Sequence, residues 1–125
     1  MDTLALVRDW HEHFDVLVET KPTLPSSRVA MRLAILEEEV KELREAVEAN
    51  DMTEVLDALC DIQFVLDGTF LEFGLHGVKK DAFQEVYQSN MSKLGDDGRP
   101  LYRDDGKVVK GPNFIPPDLA RFVGD

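Results

Sequence analysis

Two long amphipathic segments joined by a very short turn constrain the fold of this chain most strongly. Apolar residues recur at helical spacing from about Ser26 to Ala49 and again from about Met52 to Phe73. Only Asn50 and Asp51 separate the two segments, so the helices are expected to pack antiparallel. The apolar positions that we expect to form the core are Val29, Leu33, Leu36, Val40, Leu43 and Val47 on the first helix, and Val55, Leu59, Ile62, Leu66, Phe70 and Phe73 on the second.

Two further helices are predicted on either side of this pair. The first covers about residues 3–20 and stops where Pro22 and Pro25 follow, because proline cannot continue a helix. The last covers about residues 78–93 and ends at Gly95. Beyond it, Leu101–Val109 has the pattern of a small hairpin that turns at Asp105-Gly106. We therefore predict an all-α fold, a four-helix antiparallel bundle with an extended, hairpin-containing C-terminal tail.

Composition and charge limit the class of protein. A chain of 125 residues with 43% apolar content is expected to form one domain, 1–125, with a helical core at 1–94 and a basic tail at 95–125. The single cysteine, Cys60, is expected to pack in the core and fits a reducing, cytoplasmic setting. No leader peptide or membrane span is predicted.

The net charge of −11 argues against nucleic acid as a partner. Its distribution is uneven. Residues 1–72 contain 17 acidic and 6 basic side chains, a net of −11, whereas residues 73–125 contain 8 of each. The front part could therefore hold cations and the tail could hold anions, although acidic excess also serves solubility alone.

Acidic side chains on the two central helices are the candidate functional residues. On the first, Glu38 and Glu42 lie one helical turn apart with Glu39 beside them, and on the second Asp57 and Asp61 share a stripe. Aspartate is a poor helix former away from the ends, so the two aspartates cost stability there. If the acidic stripes face each other, the carboxylates converge and repel unless a cation neutralises them. Oxygen ligands favour Mg²⁺, with Mn²⁺ as an alternative.

Other acidic residues and the histidines have simpler explanations. Glu54 follows Asp51 by three residues, which is the spacing of a capping box. The remaining glutamates of the first of these helices, Glu37, Glu45 and Glu48, are expected to form a solvated face with Lys41 and Arg44. A di-iron site needs Glu-x-x-His on two helices, and no histidine here follows a glutamate by three positions. We expect His11 and His13 to be solvated or packing residues.

The ordered set of motifs resembles the MazG-like all-α nucleoside triphosphate pyrophosphohydrolases, a superfamily that includes dimeric dUTPases and phosphoribosyl-ATP pyrophosphohydrolase. The resemblance rests on Glu38-Glu39-x-x-Glu42, on the segment Asp57–Gly68, on Ser89–Lys93 and on Asp105–Pro112. It extends from about residue 28 to the tail. The superfamily pattern is E-E-x-x-E on one helix and E-x-x-D on the next.

One position departs from that pattern. When Asp61 is aligned with the final aspartate, Ala58 stands where the superfamily has glutamate. Asp57 could substitute for it, or the motif could instead be Glu54-x-x-Asp57. We prefer the first alignment because the apolar residues that follow Asp61 then match the superfamily stretch.

The resemblance implies Mg²⁺-dependent hydrolysis of a (deoxy)nucleoside triphosphate to monophosphate and pyrophosphate, in clean-up of the nucleotide pool. Glu38, Glu39, Glu42, Asp57 and Asp61 would hold the metal, and Glu38 or Glu39 would act as the base. The implied substrate-binding residues are Asn90, Lys93, Arg103, Lys107 and Lys110. A homodimer or a dimer of dimers is also implied, with no nucleic-acid or membrane partner.

Two alternatives remain at the level of sequence. Within enzymes, the substrate could be phosphoribosyl-ATP. Outside them, the chain could be a non-catalytic acidic helical adaptor, for which the alanine at position 58 is the best support. The sequence does not identify a pocket for the base. Trp10 and Phe14 could stack on a base, but core packing is the favoured interpretation.

Overall fold

A computed structural model describes residues 2–124, and within them the chain is all-α with four α-helices. The helices are α1 (Thr3–His13), α2 (Val29–Glu48), α3 (Met52–Glu72) and α4 (Lys79–Met91). A short 3₁₀ helix follows at Ala120–Phe122. The predicted all-α class with four helices is confirmed. None of the helices in the described range is long and apolar enough to cross a bilayer.

The chain divides into two compact units, the first ending at Gly77 and the second beginning at Val78. The first unit contains α1, α2 and α3, with α3 packed against both of the others. The second contains α4 and the tail. The predicted organisation, one domain with a helical core at 1–94 and a tail at 95–125, stays a prediction.

The turn between α2 and α3 has the geometry that its two residues predict. Asn50 adopts a φ of 54°, a left-handed conformation that asparagine tolerates. Its backbone N–H donates to the carbonyl of Val47, and the N–H of Asp51 donates to that of Ala46, which together satisfy the end of α2. The Asp51 side chain then accepts from the backbone N–H of Glu54 and begins α3. The two central helices therefore reverse direction within a few residues.

Helix α1 is shorter than predicted. It ends at His13 rather than near residue 20, because Asp15 takes a φ of 54° and turns the chain away. The segment that follows is held by α3 instead: the N–H of Glu19 donates to the carbonyl of Leu71, and that of Thr23 donates to Phe73. Gly74, at a φ of 67°, fits closely under Lys21, so this segment lies over the end of α3. Tertiary contacts, not local propensity, end α1.

The interior of the first unit is unusually polar. Asp67 and Glu72 on α3 are fully buried, and so are His11 and, nearly, Arg32. Arg28 and Arg32 both pair with Glu72, at 2.6 Å from Arg28 Nε to Oε1 and 2.7 Å from Arg32 Nη1 to Oε2. We call these three residues the ion-pair cluster. Buried charges persist when they are paired in this way.

A second buried contact joins α1 to α3. The hydroxyl of Thr3 donates to Asp67 Oδ2 at 2.7 Å, and the amide of Gln63 donates to the same oxygen at 3.0 Å. His11 Nδ1 lies 3.1 Å from the carbonyl of Leu17, and burial lowers the pKa of His11. Of the two roles expected for His11, solvated or packing, the structure shows packing. Polar contacts thus fix α1 on α3.

The predicted apolar stripes are only partly buried in the single chain. Leu33, Val40 and Val47 on α2 are between 48% and 60% exposed, and Leu59 on α3 is 51% exposed. The prediction that these side chains form the core of the chain is therefore wrong. Leu33, Val40 and Val47 are spaced by seven residues, the repeat with which helices pair along one stripe.

The second unit holds the tail along α4. Ser89 Oγ donates to the carbonyl of Ile115 at 2.8 Å, and the N–H of Ile115 donates to Ser92 Oγ at 2.9 Å. Farther along, Glu85 accepts from the backbone of Asp118 and from Arg121. The predicted hairpin is present as an antiparallel bridge between Tyr102 and Val108, with Gly106 at a φ of 85° in the turn.

Candidate metal centre

Three carboxylates from α2 and α3 converge at one place in the first unit. Glu39, Glu42 and Asp61 each offer an oxygen, and these three atoms lie within 4.8 Å of one another. Glu39 and Asp61 are half-buried, whereas Glu42 is exposed. We call these residues the carboxylate cluster. Such a group can hold a divalent cation and leave one side open to solvent.

The electrostatics of the carboxylate cluster are unfavourable without a cation. Burial and the negative charges of Glu42 and Asp61 together raise the pKa of Glu39 to about 7, and Glu38 contributes to a smaller extent. Glu39 Oε2 is buried and has no hydrogen-bond partner. An unsatisfied buried carboxylate oxygen next to two more carboxylates is costly unless a proton or a cation is shared among them.

The ion-pair cluster sets the geometry that brings these carboxylates together. Arg32 lies seven residues before Glu39, two turns away on the same face of α2. Its guanidinium donates to the carbonyl of Val65 at 2.6 Å and to Thr69 Oγ1 at 3.3 Å. Because α2 and α3 are antiparallel, fixing Arg32 against Val65 and Thr69 places Glu39 opposite Asp61.

Arg32 needs a glycine on α3 to reach these partners. A Cβ at Gly68 would lie 2.4 Å from Arg32 Nη2 and 3.0 Å from His11 Nε2. The first distance is too short for unbonded atoms and the second is tight, so a side chain at position 68 would displace Arg32. Gly68 is therefore the point of close approach between α1, α2 and α3.

The predicted metal ligands do not all join the cluster. Glu38 and Asp57 are exposed and lie outside the three-member group found among the described residues. Glu38 was expected to pair with Glu42 on one face, but the structure turns Glu39 toward α3 instead. The roles of Glu38 and Asp57 as ligands stay predictions.

The position of the motif departure is now visible. Ala58 is 3% exposed and lies one turn before Asp61 on α3. Glu54 and Asp57, the pair in the other alignment, are both exposed, and Glu54 takes part in the cap of α3 through its backbone. Asp61 alone of the α3 acids reaches the cluster, which favours the alignment that places Ala58 at the glutamate position.

The predicted substrate-binding residues all belong to the second unit. Asn90 is exposed on α4, and its carbonyl accepts from the N–H of Lys93. Arg103 is paired with Asp105, at 3.2 Å from Nε to Oδ1. Lys110 Nζ lies 4.8 Å from the centre of the Phe114 ring, and the N–H of Lys107 donates to Asp105. Their role in substrate binding stays a prediction.

Three other side chains differ from expectation. Trp10 and Phe14 are not core residues, because they are 40% and 64% exposed and stack on each other with ring centres 4.7 Å apart. Phe64 and Trp10 meet in a T-shaped arrangement with ring centres 5.6 Å apart. Cys60 is exposed, so the expectation that it packs in the core is also wrong.

The profile of one protein family matches residues 7–90, about two thirds of the chain. Its description is phosphoribosyl-ATP pyrophosphohydrolase. The chain belongs to this family. The family is part of the MazG-like nucleoside triphosphate pyrophosphohydrolase superfamily, so the predicted resemblance is confirmed. No curated protein matched the chain.

The residues of the carboxylate cluster fit the divalent cation that the phosphoribosyl-ATP pyrophosphohydrolase resemblance implies. The donors are all carboxylate oxygens, which Mg²⁺ and Mn²⁺ prefer. The buried, unpaired Glu39 Oε2 is the oxygen that a cation would satisfy. Three ligands also leave coordination positions for water and phosphate oxygens, as Mg²⁺ sites commonly do.

The ion-pair cluster was missed at the level of sequence, although a signal was present. Asp67 and Glu72 interrupt the most apolar part of α3, and Arg28 and Arg32 are spaced by one turn near the start of α2. Acids within an apolar stretch need partners, and the two arginines supply them to Glu72, whereas Thr3 and Gln63 donate to Asp67. The ion-pair cluster positions the carboxylate cluster rather than forms part of it.

Proposed function

We propose that this protein hydrolyses (deoxy)nucleoside triphosphates to the monophosphate and pyrophosphate, and that Mg²⁺ is required. The family supports a pyrophosphohydrolase that acts on nucleoside triphosphate-like substrates. The observation that carries the proposal is the carboxylate cluster, whose central member has a buried oxygen without a partner. Clean-up of the nucleotide pool is the corresponding physiological role, and the cytoplasm is the corresponding location.

The proposed reaction adds water to the α-phosphate while the bond to the β-phosphate breaks. A bound divalent cation would neutralise phosphate oxygens and lower the pKa of a bound water. Glu39, Glu42 and Asp61 would hold it, with Asp57 as a further candidate ligand. Glu38 would accept the proton of the attacking water, because Glu39 is already part of the carboxylate cluster.

The basic residues of the second unit are proposed to bind the outer phosphates. Phosphoryl transfer depends on positioning and charge neutralisation, and basic side chains that bind the phosphates supply both. Lys93 and Lys107 are the simplest candidates, with Asn90 as a hydrogen-bond donor. Arg103 and Lys110 already have partners in Asp105 and Phe114, so substrate would compete with those contacts.

We also propose that the protein works as a homodimer or a dimer of dimers. The partly exposed stripe of Leu33, Val40 and Val47 supports this, because a single chain leaves much apolar surface in contact with water. Light scattering coupled to gel filtration should show more than one chain per particle. A monomer at micromolar concentration would contradict this part of the proposal.

The decisive test is pyrophosphate release with Mg²⁺ or Mn²⁺ over a panel of canonical and damaged nucleoside triphosphates. Glu42→Gln should abolish metal-dependent release while the helical circular dichroism signal stays unchanged, because the Glu42 side chain is exposed. Glu45→Gln is the matched control, since Glu45 lies exposed on the same helix, 3.9 Å from Lys41. Unchanged turnover in Glu42→Gln would refute the metal-site assignment.

A second substrate has support of its own. The matching family is described by phosphoribosyl-ATP, so this compound belongs in the same panel. Release from phosphoribosyl-ATP alone would select that substrate. Silence over the whole panel would favour the non-catalytic acidic adaptor.

A further inference from the structure

Three exposed aromatic rings form a group, and one of them, Phe64, lies one turn from Asp61 along α3. Trp10 and Phe14 on the α1 side stack with their planes 22° apart, and Phe64 of α3 meets Trp10 edge-on at 86°. All three are between 40% and 64% exposed. We call these residues the aromatic cluster. Aromatic rings of this size are usually buried against protein or ligand, because each can bury a large apolar area.

The aromatic cluster is tied to the carboxylate cluster through α3. Phe64 follows Asp61 by three residues, which is a rise of about 4.5 Å and a neighbouring position on the helix surface. Both clusters belong to the first unit. A ligand whose phosphates meet the carboxylate cluster through a cation would therefore carry its other end toward Phe64.

We propose that Trp10, Phe14 and Phe64 form the stacking platform for the nucleobase of the substrate. This inference rests on the proposed function, in which the substrate is a nucleotide. In a nucleotide a single sugar ring joins the base to the phosphates, so the base lies close to the groups that bind the phosphates. A neutral, flat base matches exposed aromatic faces, and base–aromatic stacking tolerates any base because every base has a π face.

The platform also predicts how the enzyme selects substrates. The three rings contribute π faces and one indole N–H rather than a pattern of donors and acceptors. Discrimination by stacking follows the size of the base, so purines should bind more tightly than pyrimidines. Sharp selection of one base would require hydrogen bonds that these three side chains do not supply.

Trp10 is the only tryptophan, so its fluorescence reports on the aromatic cluster directly. The experiment titrates the full chain with adenosine, guanosine, cytidine and uridine, without divalent cation, and excites at the red edge of indole absorption. Nucleosides lack phosphates, so the titration tests the base platform independently of hydrolysis. We expect saturable quenching, with purines stronger than pyrimidines. Absence of quenching by any nucleoside at millimolar concentration would overturn the proposal.

Variants separate stacking from general effects on the fold. Phe64→Leu and Phe14→Leu keep Trp10 as the probe and should each weaken purine nucleoside binding by about tenfold. Phe83→Leu is the matched control, because Phe83 is an exposed helical phenylalanine of the second unit. Equal binding by Phe64→Leu and Phe83→Leu would contradict the platform.

The competing occupant of the aromatic cluster is a second copy of the chain. If a partner covers the rings, acrylamide should fail to quench Trp10 at high protein concentration, and quenching should return on dilution. That result, together with no response to nucleosides, would assign the rings to an interface and overturn the base platform. Nucleoside binding without pyrophosphate release would instead keep the platform and refute the hydrolysis proposal.

Discussion

The contact between α2 and α3 carries charge in two places, and the two are treated differently. The ion-pair cluster buries Glu72 completely and gives both of its oxygens arginine partners. Two turns away, the carboxylate cluster brings three acids together and leaves Glu39 Oε2 without a partner. In the ion-pair cluster the arginines neutralise the buried carboxylate. In the carboxylate cluster the negative charge requires a proton or a cation. A helix pair can thus hold unpaired carboxylates close together when ion pairs nearby fix the geometry of the two helices.

The largest expected effect comes from breaking the ion-pair cluster. Glu72→Gln removes the only carboxylate that Arg28 and Arg32 are shown to share and leaves Arg32 buried with reduced pairing. We expect the free energy of unfolding to fall by about 3–5 kcal/mol, as for other broken buried ion pairs. Urea denaturation measures this change.

Glu45→Gln serves as the control for the charge itself. Glu45 is 61% exposed and lies 3.9 Å from Lys41, so its loss should change the free energy of unfolding by no more than about 0.5 kcal/mol. Equal stability of the two variants would mean that the ion-pair cluster does not stabilise the helix contact.

The next effect tests the close approach that Arg32 requires. Alanine in place of glycine inside a helix normally stabilises by about 1 kcal/mol. At Gly68 the added Cβ would meet Arg32 Nη2 at 2.4 Å, so Gly68→Ala should instead destabilise by about 1–3 kcal/mol.

Gly77→Ala is the control for Gly68→Ala, because a Cβ at position 77 meets nothing within 4 Å. Thermal melting of the two variants should differ in sign or clearly in size. A stabilised Gly68→Ala variant would show that Arg32 can move without loss, and that the position of the carboxylate cluster does not depend on it.

The parts of the fold that sequence predicted are those that depend on neighbouring residues. The turn at Asn50 and Asp51, the cap of α3 and the stop at Gly74 are all encoded within a few positions, and all three are present. The end of α1 was missed because it depends on Glu19 meeting Leu71 of α3. Periodicity identified the stripe of Leu33, Val40 and Val47, but it cannot say which neighbour covers a stripe.

The candidate site was predicted to the level of the residue type and the helix. An acidic run facing an acidic helix indicated converging carboxylates, and Glu39, Glu42 and Asp61 do converge. The choice between Glu38 and Glu39 depends on how α2 is rotated against α3. That rotation is set by the contacts of Arg32 with Val65 and Thr69, which are distant in sequence and carry no local pattern.

A smaller effect is expected from reducing the charge repulsion within the carboxylate cluster. Asp61→Asn removes one of three like charges, so the metal-free protein should gain about 0.5–1 kcal/mol in the free energy of unfolding. The same variant should lose the rise in melting temperature that Mn²⁺ gives the wild type, because ligand binding stabilises the folded state only where a site exists.

Asp57→Asn is the matched control for this prediction, and it also decides an open question. Asp57 is exposed and outside the cluster among the described residues, so we expect its variant to keep the response to Mn²⁺. Loss of that response in Asp57→Asn, with the response intact in Asp61→Asn, would reverse the assignment of the ligand on α3.

The smallest expected effect is the pH dependence of the metal-free protein. The pKa of Glu39 is about 7 in the folded chain against an ordinary 4.5, so the folded state holds the proton more tightly than the unfolded state. Its contribution to stability is therefore complete below about 4.5 and is lost as pH rises toward 7. Burial lowers the pKa of His11, so the stability from that residue is instead complete above 6.5 and is lost as pH falls below it.

The difference between wild type and Glu39→Gln isolates the glutamate from the histidine. In the presence of a chelator, the stability of wild type relative to Glu39→Gln should decline as pH rises through this range. With Mn²⁺ the sign should reverse, because the cation binds the deprotonated carboxylates and its affinity rises with pH. Thermal melts at a series of pH values measure both slopes. A slope that Mn²⁺ does not reverse would mean that the proton on Glu39 and the cation do not compete for the same oxygens.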